Sequence, residues 1–373
     1  MANTLEHLPT DLRVKILSKL GVKDLMRLKC INKTWEHMIR DADFAKFQSS
    51  NGPKGDVRVS HRLIFPELGI LRIPQRSGLF MDSCGGLICL ANPDSTNAII
   101  IWNPATRMYK LLPDSPPVPT KMEILSFGFG CTADGDFKVV RISCLENTTE
   151  AVVYSSKADS WAIIKGLTFK VFDRRCQAIV DGNPYWPGKT PEEDHFSLVS
   201  YDSTNARFII EPFPAHNHLP GDLFALVDWK GRLSMLSCDT AFSRADVWSI
   251  VHGEWSQIET FQIPRGRDDR PCSEILCASS GDTIIGTCIF RYMLIYDTVV
   301  GSLETIAEAP SFRIAAYVNY AFPYSQSLAY VPGMVPAPLM RNGDENLVFT
   351  HVPGLFLVRF HPTREVSCYY IED

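Results

Sequence analysis

The chain has 373 residues, 45% hydrophobic and 21% charged, which is globular in composition and long enough for one large repeat domain or two ordinary ones. A formal net charge of -5 gives it no general affinity for nucleic acid. No apolar run reaches the roughly eighteen residues of a membrane span, and "MANTLEHLPTDL" lacks the basic-then-apolar order of a secretory signal.

Up to Phe47 the apolar residues follow a helical period. Leu8, Leu12, Ile16, Leu17 and Leu20 form a first segment that Gly21 stops. Leu25, Leu28 and Ile31 form a second, and Trp35, Met38 and Ile39 a third, capped by Asn32 or Thr34. These fifty residues carry nine Lys and Arg against six Asp and Glu, a mild excess expected of a solvated helical surface. Three helices this short cannot bury so many large apolar groups among themselves. They need a partner protein or a seat on the rest of the chain, and the helical pattern leaves both open.

"SSNGPKGD" (49–56) is a linker, and after it the period becomes two. The expected division is a helical domain over 1–48, the linker 49–56 and an all-β domain over 57–373. The eleven cysteines include no CxxC pair, which predicts reduced, mostly buried thiols in a cytosolic or nuclear protein. The sequons at Asn32 and Asn147 are then silent, because glycosylation needs the secretory route.

Within the β region one pattern returns. "IIIWNPATRMYKLLP" sets Trp102 and Tyr109 seven apart across a hairpin. The same frame holds Tyr154 and Trp161, Tyr201 and Phe208, Trp248 and Trp255, and, with leucine second, Tyr296 and Leu303. Successive leading aromatics are 52, 47, 47 and 48 residues apart. A glycine turn precedes each by 15 to 19 residues, at Gly86, Gly135, Gly182, Gly231 and Gly281. Four strands per roughly 48 residues is the unit of a β-propeller blade, near the kelch period. The fold expected is mainly β: a small helical domain, then a kelch-like propeller of about six to seven four-stranded blades. The aromatic pairs are expected to fill the wedge between blades and not to hold a ligand.

Little in the sequence supports catalysis. "GFGCTA" (128–133) has dinucleotide-loop spacing but runs into a turn and a strand, where a pyrophosphate site needs a helix. His216 and His218, and the run Glu192, Glu193, Asp194 and His195, fall in polar loops without a convergent metal set. Arg265, Arg267 and Arg270 are interrupted by Asp268 and Asp269, which breaks up a phosphate patch. No catalytic residue, cofactor or metal ligand is assigned.

"LPTDLRVKILSKLGVKDLMRLKCINKTWEHMIRDADF" (8–44) resembles an F-box, with Leu8-Pro9, Ile16-Leu17, Leu20, Val22, Leu25, Leu28, Cys30, Lys33, Trp35, Ile39 and Phe44 at the family's spacing. Gly21 stands where the family commonly has proline. "SCGGLICL", "IIIWNPATRMYKLLP", "SFGFGCTADGDFKVVRI" and "AVVYSSKADSWAII" are similar to the F-box-associated, kelch-like domain of plant F-box proteins, with an S-locus flavour in "FKVVRI" and "SFRIAAYV". The resemblance implies a non-catalytic substrate receptor of an SCF-type (Skp–cullin–F-box) ubiquitin ligase. The F-box would dock on a Skp-family adaptor, which joins it to cullin and RING subunits. The adaptor residues implied are Leu8, Pro9, Ile16, Leu17, Leu20, Val22, Leu25, Leu28, Trp35 and Ile39, with Leu28 and Trp35 partly core. A protein substrate would sit on propeller loops, chosen by polarity and Pro/Gly content as 112–123, 187–195, 212–222 and 264–273. Neither nucleic acid nor membrane is an expected partner. The alternative is a non-degradative scaffold or a glycan-recognising propeller.

Overall fold

The computed structural model describes residues 8–51, 80–91, 99–103, 105–106, 108–117, 122–145, 148–173, 175–190, 196–213, 223–239, 241–264, 272–279, 283–288, 292–307, 320–323, 327–336 and 355–358. Gly281, the His216/His218 and 192–195 clusters, the 265–270 arginines, most of the linker and the tail beyond Pro338, apart from 355–358, lie outside these residues.

Four helices open the chain: α1 (Thr10–Leu17), α2 (Val22–Leu28), α3 (Lys33–Arg40) and α4 (Ala42–Asn51). Asn32 is the cap of α3, its Oδ1 accepting from the Trp35 N–H at 2.9 Å, and Asp41 Oδ1 accepts from the Phe44 N–H at 2.9 Å at the start of α4. Both side chains satisfy amides that have no partner inside their helix. Glu36–Arg40 and Asp24–Arg27 pair along exposed faces, so part of the basic excess is helical surface. The fourth helix was not anticipated, and it continues past residue 48 into the expected linker. Its sequence "ADFAKFQSSN" has little apolar period, and its start is set by the Asp41 cap.

Five four-stranded antiparallel blades follow. Blade one is β1 (Phe80–Cys84), β2 (Leu87–Ala91), β3 (Ile99–Asn103) and β4 (Met108–Leu111); blade two is β5 (Met122–Cys131), β6 (Phe137–Leu145), β7 (Thr149–Ser155) and β8 (Ser160–Leu167). In blade three, β9 (Lys170–Val171) supplements β10 (Ala178–Val180), β11 (Asn183–Lys189), β12 (Ser197–Asp202) and β13 (Arg207–Pro212). Blade four is β14 (Leu223–Trp229), β15 (Arg232–Cys238), β16 (Arg244–Val251) and β17 (Glu254–Gln262); blade five is β18 (Cys272–Ser279), β19 (Thr283–Cys288), β20 (Tyr292–Asp297) and β21 (Ser302–Ala307). The sixth position holds a two-stranded sheet, β22 (Tyr320–Pro323) with β24 (Leu355–Val358), and β22 lies beside both β18 and β1. β23 (Val335–Pro336) adds a fifth strand outside β4. The mainly-β propeller class expected from the sequence therefore holds, but the described residues form five complete blades and a two-stranded partial sixth in place of the six to seven four-stranded blades expected.

The recurring aromatics sit where the period puts them. Trp102 faces Tyr109, Tyr154 faces Trp161, Tyr201 faces Phe208 and Tyr296 faces Leu303 across their hairpins. Ring centroids are 5.4 Å apart in the second pair and 5.1 Å in the third. The fourth frame departs: a β-bulge at Val247/Trp248 slides the register, so Trp248 faces Gln257 and Trp255 faces Ile250. The residue after the leading aromatic is the turn's cap. Asn103, Ser155, Asp202 and Asp297 each accept from a backbone N–H two or three residues on.

The second aromatic also ties blades together. Trp161 Nε1 donates to the Pro113 carbonyl at 2.8 Å and Trp255 Nε1 to the Pro212 carbonyl at 3.3 Å, each holding the chain as it leaves the preceding blade. Trp161→Phe keeps the ring against Tyr154 and removes that bond. It is expected to cost about 1 kcal/mol, read as a lower urea midpoint.

The "GFG" stretch is strand β5, and its glycines make room for blade three. A Cβ on Gly128 would lie 2.4 Å from the ring of Trp186, which is fully buried and donates from Nε1 to Ser126 Oγ at 3.0 Å. Gly128→Ala is expected to cost about 1–3 kcal/mol through overpacking and to redshift the tryptophan emission as Trp186 is displaced. Cys84 and Cys131 are joined as a disulfide between β1 and β5, against the expectation of reduced thiols throughout. Neighbouring inner strands bring their Cα atoms to 6.4 Å, which no sequence spacing announces. Cys89, Cys144, Cys176 and Cys238 are free and buried, and Cys30 is free and exposed.

Candidate functional site

The helical domain builds its own core from Leu17, Val22, Leu25, Trp35, Ile39 and Phe44. Two propeller residues join this cluster: Leu328, buried in it, and Ala105, from the β3–β4 turn, packed against it. Lys46 of α4 donates to the Asp134 carbonyl at 3.2 Å in the β5–β6 turn. The helices are thus seated on blades one and two, so one of the two homes left open by the sequence is real.

The seat does not use all the apolar surface. Leu12 and Ile16, one turn apart on α1, are 42% and 43% exposed, next to exposed Pro9 and half-buried Leu8. At 100° per residue, Leu12 and Ile16 face away from Thr10, Val14 and Leu17. The latter side of α1 borders a second feature, a groove of about 790 Å³ lined by Thr10, Arg13 and Val14 of α1, Lys33 and Met38 of α3 and Phe47 of α4, among others.

Of the residues that the resemblance assigned to an adaptor, Leu17, Val22, Leu25, Trp35 and Ile39 are interior, between 0% and 3% exposed. Leu20 and Leu28 are half-buried against the same core. Pro9 and Ile16 are at the surface. The interior group sets where the helices lie, and the surface group is what another chain can touch. Leu12 was missed as a contact residue, although it stands four residues before Ile16 in the same stripe. Gly21 caps α2 with an extended backbone, its carbonyl accepting from the N–H groups of Asp24 and Leu25. The turn therefore forms without the family's proline.

The strand order fixes where the candidate loops emerge. In each blade the first and third strands run the same way, so the first and third turns share one end of the ring. The middle connection and the link to the next blade share the other end. Ala105 and Asp134 lie in a third and a first turn, which puts the helical domain on the first end. The stretches 112–123, 212–222 and 264–273 span links between blades, and 187–195 spans the middle connection of blade three. All four start and finish at the opposite end. Arg141, buried in β6, donates from one terminal nitrogen to Ser115 Oγ at 2.7 Å and from the other to the Pro116 carbonyl at 2.6 Å, fixing the proline-rich link on blade two. Burial lowers its pKa to about 10, which still leaves the guanidinium charged at neutral pH.

The interior holds titratable groups but no reactive constellation among the described residues. Burial raises Asp82 to about 6, against the opposing pull of Arg175, and its Oδ2 accepts from the Cys176 thiol at 3.1 Å. Burial and that carboxylate push Cys176 well above its ordinary value, so it stays a protonated thiol and not a nucleophile. No group of three or more potential metal ligands occurs among the described residues. No helix among them is long and apolar enough to cross a membrane.

Comparison with known proteins agrees with this division. Residues 5–47 match the F-box domain and residues 74–333 the F-box associated beta propeller domain. A putative F-box protein of Arabidopsis thaliana, At3g16210, is 28% identical over 232 residues, which cover 57% of this chain and 62% of that protein. The Arabidopsis F-box/kelch-repeat protein At3g23880 is 25% identical over 293 residues, covering 68% of this chain and 79% of that one. Among solved structures, one titled as the mitotic checkpoint complex matches 79% of this chain and 90% of its own at a TM-score of 0.41 and 10% identity, too distant to carry an argument. F-box domains generally bind Skp-type adaptors, and proteins of this architecture are generally non-catalytic. The chain belongs to the F-box associated beta-propeller family, with an F-box at its N-terminal end, consistent with a plant F-box protein.

Proposed function

We propose that this chain is a substrate receptor of an SCF-type ubiquitin ligase, binding a Skp-family adaptor through the F-box and a protein substrate at the far end of its ring. The observation that carries the reading is the opposition of two surfaces. Leu12 and Ile16 stay exposed on an F-box seated at one end, and the polar and proline-rich connections emerge at the other. A substrate held there is presented to a ubiquitin-loaded enzyme recruited through cullin and RING subunits. The receptor's contribution is proximity, and the thioester chemistry belongs to other subunits. Such a receptor works in the cytoplasm or nucleus.

The contact residues proposed are Leu8, Pro9, Leu12 and Ile16, with Leu20 and Leu28 at the margin. Leu17, Val22, Leu25, Trp35 and Ile39 hold the helices in place behind them. Exposed apolar residues contribute to folding far less than buried ones, so charge can be placed there with little loss of stability. Leu12→Asp with Ile16→Asp is expected to reduce co-purification of a Skp-family adaptor by at least about tenfold, as desolvating two carboxylates in an apolar contact costs more than the 1.4 kcal/mol that tenfold requires. Thermal unfolding should stay within a few degrees of wild type. A wild-type chain that retains no such adaptor would sink the proposal, and so would a double variant that retains it in full.

A further inference from the structure

The short segment 327–336 touches both the ring closure and the F-box. On the ring side, Asn103 Nδ2 donates to the carbonyls of Ser327 and Ala329, at 3.1 and 2.7 Å. Ser327 Oγ donates to the Gly85 carbonyl at 2.7 Å, and Lys110 Nζ to the Pro332 carbonyl at 2.7 Å. Val331 and Met334 pack into the core shared by blades one to three, and β23 adds to the outer edge of β4. Between these ring contacts, Leu328 points the other way and is part of the F-box core with Leu17, Leu25 and Trp35. Asn103 is itself wholly buried, and its Oδ1 caps the turn that carries Ala105 to the same core.

We propose that this segment is a latch which makes the F-box and the closure of the ring one cooperative unit. When the F-box core loosens, Leu328 loses its seat and the segment loosens on blade one. When the latch is released, the F-box loses Leu328 and the support behind Ala105. By the reciprocity of linked equilibria, any protein that binds the folded F-box also tightens the ring at blade one. Blade four shares none of these contacts, its core being a separate cluster, so the coupling is directed and not a general gain in stability.

Hydrogen exchange read peptide by peptide on the full chain tests this without a partner, so its outcome is separate from the adaptor proposal. Leu25→Ala loosens the F-box from α2. It is expected to speed exchange by roughly tenfold in 327–336 and 99–111 as well as in 8–51, with 225–262 unchanged, because opening energies are local to cooperative units. Asn103→Ala, made on the ring side, is expected to speed exchange in α2 and α3 by a comparable factor. Leu328→Ala should cut the link, so that adding Leu25→Ala no longer alters 99–111. Faster exchange confined to 8–51 in Leu25→Ala overturns the latch. So does an equal rise in blade four, which would mean that the whole chain had been destabilised.

Discussion

Replacing Gly182 with alanine should destabilise the protein by about 4 kcal/mol, the largest effect expected of a single added methyl group among the described glycines. Gly182 has a φ of +76° and Asp181 before it +49°, the two left-handed residues of a type I′ turn between β10 and β11. Its tip is pressed against the end of β5. The Cys131 N–H donates to the Gly182 carbonyl at 2.9 Å, Ser203 Oγ donates to the same oxygen at 2.9 Å, and a Cβ on Gly182 would come 1.9 Å from the Cys131 carbonyl oxygen. Backbone is what it meets, so no side chain can swing away. Gly231 offers the comparison, with a φ of +77° in the equivalent turn of blade four and nothing within 4 Å of its Cβ position. Gly231→Ala isolates the conformational term and should cost about 1 kcal/mol. Chemical denaturation of both variants decides the matter. Equal losses would mean that blade two does not press on the turn.

That comparison also indicates what a sequence can disclose. The glycine beat and the seven-residue aromatic frame were legible because each reports a local requirement, a left-handed residue in a turn or a cross-strand pair, repeated often enough to exceed chance. What depends on neighbouring blades was not. Gly182 and Gly231 look alike in sequence, although only the first carries an interblade contact. The bulge beside Trp248 shifts the register of β16 on β17 while leaving the seven-residue gap intact. The Cys84–Cys131 disulfide joins residues of two repeats. Ring closure by β22 and β23 rests on short strands with no repeat partner to announce them.

The F-box was readable as a motif, yet the motif mixes two kinds of residue. Leu17, Val22 and Leu25 obey the helical period because they are core, whereas Ile16 falls in step with Leu12 on the opposite, exposed side of α1. Family spacing does not separate inside from outside. The missed Leu12 could have been found by the four-residue step from Leu12 to Ile16, which puts both on the side of α1 away from Leu17. The alternating polar and apolar burial seen in an ordinary strand gives a cleaner reading. In a helix of eight residues, the boundary between core and surface is set by what packs on it, here Leu328 and Ala105 from more than fifty residues away.

Asp136→Ala should cost about 3–4 kcal/mol, and Asp136→Asn somewhat less, because this carboxylate organises the blade-two turns beneath the F-box. Its side chain is 9% exposed and pairs with Lys138 Nζ at 2.6 Å. Its oxygens accept from Ser155 Oγ at 2.8 Å, Ser156 Oγ at 3.0 Å and the Lys157 N–H at 3.0 Å. Ser156 Oγ in turn accepts from the Phe137 N–H at 2.8 Å. Truncation leaves buried donors without an acceptor, and each such donor carries its own desolvation penalty. Burial alone would raise the pKa of Asp136, but the Lys138 ammonium and the hydrogen bonds from Lys157, Ser155 and Ser156 outweigh it and hold the group below its ordinary 3.8. A carboxylate depressed by folding stabilises the native state above its unfolded pKa, and that stabilisation disappears as pH falls through the folded value. The stability gap between wild type and Asp136→Asn should therefore be full at pH 6 and shrink below about pH 4, because the protonated carboxyl and the amide then carry the same charge. A gap independent of pH would assign the effect of Asp136 to shape and not to charge. The adjoining Asp134 carbonyl receives Lys46 of α4, so loosening this turn by Asp136→Ala should also lower the protection of α4 amides against exchange.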